Sequence, residues 1–260
     1  MTSRTLFISD LHLGRSQPVI TRQFLDFLAG PAHQADALFI LGDLFEAWIG
    51  DDAIGPLEQS VAQGLRALSA AGTEIHFLTG NRDFLLGQEY CRRAAMRPIQ
   101  EPFLINLYGV PTVLLHGDTL CTNDIAYQRF RKRVMDRAWQ QRMLSRPLWF
   151  RRGLAAVLRA ASRARNRNLR PAITDVSAGA VEELFRQSGA QRMIHGHTHR
   201  PFRHRHDVDG QPRERIVLGD WYDQGSVLTM TSTESELASI SRASRPPQPS
   251  VRLATSPRIP

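Results

Sequence analysis

The sequence predicts an α/β fold with helices packed on buried sheets. Three observations carry this expectation. Short aliphatic runs alternate with amphipathic segments through the first half of the chain, the order expected of sheets covered by helices. The runs are apolar at consecutive positions, as in strands buried on both faces. Five of them end in side chains that bind cations, at the strand ends where open α/β sheets build their sites.

The first run, Thr5–Ser9, leads into Asp10-Leu11-His12. From Val19 to Ala29, Ile20, Phe24, Phe27 and Leu28 recur on one helical face. Ala37–Leu41 reads as the second strand and ends at Gly42-Asp43. Pro56 to Ala71 is again helical, with Leu57, Val61, Leu65 and Leu68 on one side. Glu74–Leu78 precedes Thr79-Gly80-Asn81-Arg82-Asp83, Thr112–Leu115 precedes His116-Gly117-Asp118, and Arg192–Ile194 precedes His195-Gly196-His197-Thr198-His199. Glu214–Leu218 and Ser226–Thr231 are read as a further pair of strands around a turn-rich loop.

At 260 residues the chain can bury a core without a disulfide or metal staple. One domain over 1–240 is expected, interrupted by a helical cap insertion over 122–172, with a disordered basic tail over 241–260. Cys91 and Cys121 stand outside any CxxC pattern and read as reduced thiols. Met1 to Arg4 run straight into the first strand, so no cleavable leader is expected, and no apolar run reaches 18 residues.

The net charge of +8 is unevenly spread. From Ile125 to Arg170 there are 14 Lys and Arg against one acid, Asp136, and the tail from Ser241 adds four arginines and no acid. The remainder is acidic, as suits a cation site. The insertion and the tail are the parts to suspect of meeting an anionic surface. Within the insertion, Tyr127, Phe130, Val134 and Ala138 share one helical face, and Phe150, Leu154, Val157, Leu158 and Ala161 form a second stripe. Arg152, Arg159 and Arg163 lie opposite that stripe, and Trp149 and Phe150 open it. Such a helix suits a membrane interface; it also suits a cap whose apolar side packs on the domain, and both can hold at once.

The strand-end motifs supply Asp10, His12, Asp43, Asn81, His116, His197 and His199. Carboxylate oxygen, amide oxygen and imidazole without thiolate suit Mn²⁺, Fe²⁺ or Zn²⁺ in an open site. Asp43, alone at its strand end, is the candidate bridge between two divalent ions. Such a centre attracts an anionic phosphoester.

These motifs resemble the D-x-H, GD, GN-H/R-D, H-GD and GH-x-H series of the calcineurin-like metallophosphoesterases, in order from Asp10 to His199. The resemblance implies two stacked mixed sheets flanked by helices. It also implies one metal on Asp10, His12, Asp43 and His199, and another on Asp43, Asn81, His116 and His197. Arg82 stands where many relatives carry a histidine; a guanidinium clamps phosphate but is no acid, which suits a phosphate leaving group.

Gly42–Asp52, Gly80–Leu85, His116–Thr122 and Gly219-Asp220-Trp221 further resemble the UDP-2,3-diacylglucosamine pyrophosphatases of lipid A biosynthesis, over about Thr5 to Thr231. That likeness implies a peripheral enzyme on the cytoplasmic face of the bacterial inner membrane, with two metal ions, most simply Mn²⁺. Metal-bound hydroxide would attack the α-phosphorus of the lipid-linked nucleotide, with Asp43, Asn81 and Arg82 as catalytic residues. Asn81, Arg82, Asp124, Ser162, Asn166 and His197 would touch substrate. The family lysine falls at Leu169, so Arg167 or Arg170 would supply that charge. No nucleic acid and no obligatory protein partner are expected.

Two rival readings are a nuclease or nucleotide phosphodiesterase on the same fold, and a non-catalytic membrane-surface protein. His195 is expected to be structural, and Asp83 and Asp118 to orient neighbours. Glu46, Asp51 and Asp52 have no assigned role.

Overall fold

The computed structural model describes residues 3–168, 175–222 and 225–240, with side chains at 163 and 165–168 left out. Two mixed sheets face each other. The first has six strands, β1 (Thr5–Ile8), β2 (Ala37–Leu41), β3 (Glu74–Leu78), β4 (Arg97–Ile99), β10 (Gly225–Met230) and β11 (Ser235–Ile240), in the order β11-β10-β1-β2-β3-β4. The second has β5 (Phe103–Leu107), β6 (Val110–Leu114), β7 (Arg192–His195), β8 (Phe202–Val208) and β9 (Gln211–Val217), in the order β5-β6-β7-β9-β8.

Side-chain alternation along each strand explains why both sheets are apolar on both faces. Phe7, Phe39, Leu41 and Leu78 point between the sheets and meet Leu114, Ile194 and Ile216. Their neighbours Leu6, Ile8, Leu38 and Ile40 point the other way, onto α1 (Pro18–Ala29) and α2 (Pro56–Ala70). On the far side of the second sheet, Val113 and Met193 pack against Val181 and Phe185 of α7 (Ala178–Ser188). The expected layout of stacked mixed sheets flanked by helices is therefore found.

The two late strands are not paired with each other. β9 lies between β7 and β8, whereas β10 crosses to the other sheet and runs antiparallel to β1. The turn-rich segment between them carries Trp221, fully buried and edge-on to Phe24 and Phe27 of α1 at 5.9 and 5.7 Å. β11 extends the sheet up to Ile240; residues 241–260, the expected tail, lie outside the described residues.

The insertion contains α4 (Ile125–Val134), α5 (Arg137–Leu144) and α6 (Leu148–Asn168), preceded by a short helix, α3 (Gln88–Arg93), before β4. The stripe expected to run from Tyr127 to Ala138 is broken, because Asp136 accepts a bond from the Trp139 amide and starts a new helix. α5 packs Trp139 and Met143 on the core, and buried Arg151 of α6 binds the Asp52 carboxylate and the Ile49 carbonyl. Among the described residues, no helix is long and apolar enough to cross a membrane.

Replacing Trp221 with Ala should destabilise the chain by about 3–5 kcal/mol in urea unfolding. Trp221→Phe, which keeps the edge contacts and removes an indole N–H that has no partner among the described residues, should cost clearly less.

Candidate metal centre

β1, β2 and β3 run parallel, as do β6 and β7, so their carboxyl ends open toward one region. The loops leaving these ends bring all seven expected donors together. Two compartments form around Asp43. On its Oδ2 side stand His12 Nε2 at 3.8 Å, then Asp10 Oδ1 and His199 Nε2, each 3.3 Å or more from its neighbour. On its Oδ1 side stands His116 Nε2 at 3.7 Å. Asn81 Oδ1 lies 2.9 Å from His116 Nε2 and 3.1 Å from His197 Nδ1. Asp43 thus offers one oxygen to each compartment, the arrangement a bridging carboxylate needs.

The approach is close because glycines line it. A Cβ on Gly80 would sit 2.2 Å from Asp43 Oδ1, and one on Gly196 2.3 Å from Asp10 Oδ2. Asp10, His12, Asp43, His197 and His199 all have left-handed backbones, with φ between 49° and 67°. β-rich sequence does not choose this region freely, so the turns are held by their surroundings.

The ring nitrogens are oriented from behind. His116 Nδ1 donates to the Leu41 carbonyl at 2.9 Å, which leaves Nε2 to face the site. Asp220 Oδ2 lies 3.1 Å from His199 Nδ1 and does the same there. Glu46 stands 3.6 Å from His12 Nδ1. Sequence reasoning gave neither acid this task; Asp220 was visible only as part of Gly219-Asp220-Trp221, and Glu46 only as an acid near the second strand. Asp83 takes the amides of Leu44 and Gly80, tying two donor loops together. His195 turns away from the centre and accepts from Arg215 at 3.1 Å.

Asp10, His12, Asp43 and His116 are buried, so their charges interact strongly. Burial pushes Asp43 up to about 7, with Asp83 and Asp10 adding repulsion against the pull of His116. Burial also opposes charge on Asp10, yet the His199, His116 and His12 rings hold it well below the carboxylate range. His12 falls to about 3 and His197 to about 4, chiefly through burial. Against burial, Asp10 and Asp220 raise His199 to about 10, and Asp43 and Asp10 raise His116 to about 9. A cation at these nitrogens competes with those protons, so affinity weakens as pH falls. Asp10 Oδ1 is buried without a hydrogen-bond partner among the described residues. That orphan oxygen, with an O/N donor set lacking thiolate, fits a pair of divalent ions.

Above the centre is a cavity of about 450 Å³, lined among others by His12, Glu46, Arg82, Tyr222, Ala156 and Arg159. Arg159 corrects an expectation: it faces the site rather than an outer arginine surface. The second apolar stripe is also divided. Leu154 and Leu158 are half-buried, whereas Phe150, Val157 and Ala161 are exposed, and beside the stripe Ser162 is half-buried and Trp149 73% exposed. Helical period alone cannot say which side of α6 meets the core. Asp124 is buried and caps α4, accepting the Tyr127 amide at 2.9 Å. The Asn166 side chain, Leu169 and Arg170, and the Arg167 side chain, lie outside what the structure describes.

Comparisons with known proteins agree with this picture. Residues 3–201 match the family model described as calcineurin-like phosphoesterase. The UDP-2,3-diacylglucosamine hydrolase of Stenotrophomonas maltophilia (strain K279a) is 49% identical over 245 residues, covering 92% of this chain and 99% of that protein. The protein of that name from Cellvibrio japonicus (strain Ueda107) is 52% identical over 229 residues, covering 88% and 95%.

Gly80→Ala should remove most bound divalent metal, read as metal content after gel filtration, because its Cβ must displace Asp43. Gly153→Ala, whose Cβ meets nothing within 4 Å, should leave metal content unchanged.

Proposed function

This chain belongs to the calcineurin-like phosphoesterase family, and we propose that the bond it hydrolyses is the pyrophosphate of UDP-2,3-diacylglucosamine. The products are UMP and 2,3-diacylglucosamine 1-phosphate, a step of lipid A biosynthesis. The observation that carries this reading is the pair of donor compartments sharing Asp43 beneath a cavity lined by Arg82 and Arg159. The relatives' name supplies the substrate.

Divalent ions, most simply Mn²⁺ for these donors, would neutralise phosphate oxygens and acidify a water at the centre. Asp10, His12, Asp43 and His199 would hold one ion, and Asp43, Asn81, His116 and His197 the other. The Arg82 amide donates to Asp43 Oδ1 at 2.8 Å, fixing the shared carboxylate, while its side chain lines the cavity. Arg82 from the core and Arg159 from the cap would grip the diphosphate from two sides, as guanidinium forks do.

Water would add its oxygen to the α-phosphorus and release a proton to solvent, as the bond from that phosphorus to the bridging oxygen breaks and the lipid phosphate departs as an anion. That leaving group needs no proton, which agrees with an arginine in place of an acid at position 82. Ser162 lies on the half-buried face of α6 three residues beyond Arg159 and would reach the sugar end, with Asn166 one turn further. Asp124 would act from the root of α4, and His197 from the second compartment.

The lipid explains the cap's outer surface. Ile125, Trp149 and Val157 are 62%, 73% and 64% exposed, and Leu144 and Phe150 40% each, amid basic side chains. Amphipathic helices of this kind lie on anionic bilayers, with about 1 kcal/mol from each basic residue close to the surface. The enzyme would therefore sit peripherally on the cytoplasmic face of the inner membrane, where its substrate lies.

With Mn²⁺ and UDP-2,3-diacylglucosamine, the protein should release UMP, and Asp43→Ala should cut turnover by on the order of 10³-fold with folding kept. No UMP release from the unsubstituted protein would refute the assignment. Arg159→Ala should slow it by roughly 10²-fold. Trp149→Ser combined with Val157→Ser should reduce sedimentation with anionic vesicles while detergent-dispersed substrate is still turned over; unchanged sedimentation removes the membrane role.

A further inference from the structure

The base of the cap touches the metal centre through a set of groups that the reaction does not use. β6 ends at Leu114, and the turn that follows carries His116, Gly117 and Asp118. Three residues on one face of α4 hold this turn. Tyr127 donates its hydroxyl to Asp118 Oδ2 at 2.6 Å, and its ring lies 5.9 Å from that of His197. Gln128 donates to the Asp118 and Cys121 carbonyls at 2.8 and 3.1 Å. Arg131 donates from Nε to Asp118 Oδ2 at 2.7 Å and pairs through Nη2 with Glu101. Glu101 closes the circuit, its other oxygen accepting the His116 amide at 2.8 Å.

The network reaches the second compartment through two contacts. His116 is held by its backbone amide, and His197 is faced by the Tyr127 ring. The first compartment is supported otherwise, with His199 backed by Asp220 and His12 by Glu46. The network is well shielded: Asp118 is buried, and the side chains of Arg131 and Glu101 are 17% and 14% exposed. An arginine fork that serves two carboxylates at once is a geometric clamp, which a lysine cannot reproduce.

We propose that Arg131 is a positioning residue for the second cation. Through Glu101 and Asp118 it sets where His116 stands, and with Tyr127 it makes cation affinity in that compartment depend on the seating of the cap. The helix at the root of the lipid-facing cap thereby becomes part of the support of one metal and not of the other. The proposal rests on the two-compartment reading of the donors and not on the identity of the substrate.

The test is Mn²⁺ binding by the full chain, followed by the loss of the free-ion electron paramagnetic resonance signal. Two backgrounds isolate the compartments: His12→Ala leaves the second, and His197→Ala leaves the first. In the His12→Ala background, Arg131→Met should weaken the remaining Mn²⁺ by roughly 10- to 100-fold, the usual effect of losing a group behind a ligand. Arg131→Lys should recover only part of the loss. In the His197→Ala background the same substitutions should change affinity by less than about threefold, well under that effect. Should Arg131→Met fail to fold, with the Asp118 and Glu101 carboxylates left without their cation, Tyr127→Phe provides a gentler variant. It removes one bond to Asp118 and should shift the same compartment in the same direction. Equal losses in both backgrounds, or none in either, overturn the proposal. Fewer than two Mn²⁺ in the unsubstituted chain would sink the dinuclear reading and this proposal with it.

Discussion

Seven donor side chains converge on one small buried volume from five strand ends, and the backbone bends to let them. Asp10, His12, Asp43, His197 and His199 all sit in the left-handed region, where a side chain other than glycine costs of order 1 kcal/mol or more. Such turns persist because their surroundings over-determine them. The amides of Asp10 and His12 bond to the carbonyls of Gly42 and Asp43, so the loop after β1 is stitched to the loop after β2. The amide of Gly196 bonds to the His116 carbonyl, and that of His197 to Asp10 Oδ2, which links the two sheets at the same place. Behind the stitching, Phe7, Phe39, Leu41, Ile194 and Leu114 pack in one buried cluster between the sheets.

Charge is the second constraint, and it follows from the first. Bringing Asp10, Asp43, Asp83 and Asp118 into the interior with His116 removes all five from water. The structure answers with partners for most oxygens and leaves the donor atoms aimed inward. Asp83 is spent on two backbone amides, and Asp118 on Tyr127 and Arg131. Asp10 Oδ1, which has no such partner among the described residues, is one a divalent ion would take, whereas Asp118 Oδ1, also without one, lies outside the donor set.

The cap shows how one helix serves two surroundings. α6 turns Arg151, Leu154, Leu158 and Arg159 toward the body of the protein and Trp149 and Val157 toward solvent. Its anchor is ionic, Arg151 on Asp52, and α5 adds the contact of Trp139 with Phe84 at 6.0 Å between ring centres. The cap is thus tied to the body by specific contacts, and it brings Arg159 to the cavity that Arg82 lines from the core.

Much of this was legible in the sequence. β1, β2, β3, β6 and β7 were readable because strands buried on both faces must be aliphatic throughout, and the motifs at their ends named the seven donors by residue type. β4, β5, β8 and β11 were not, because they are short or alternate with polar side chains and carry no such signal. The roles of Asp220 and Glu46 and the inward turn of Arg159 were hidden for a different reason. Composition and period decide which chemistry a chain carries and which residues share a face. Which face meets the site, which acid stands behind which ring, and that β10 leaves β9 to join the other sheet depend on contacts between distant segments, and only the folded chain settles those.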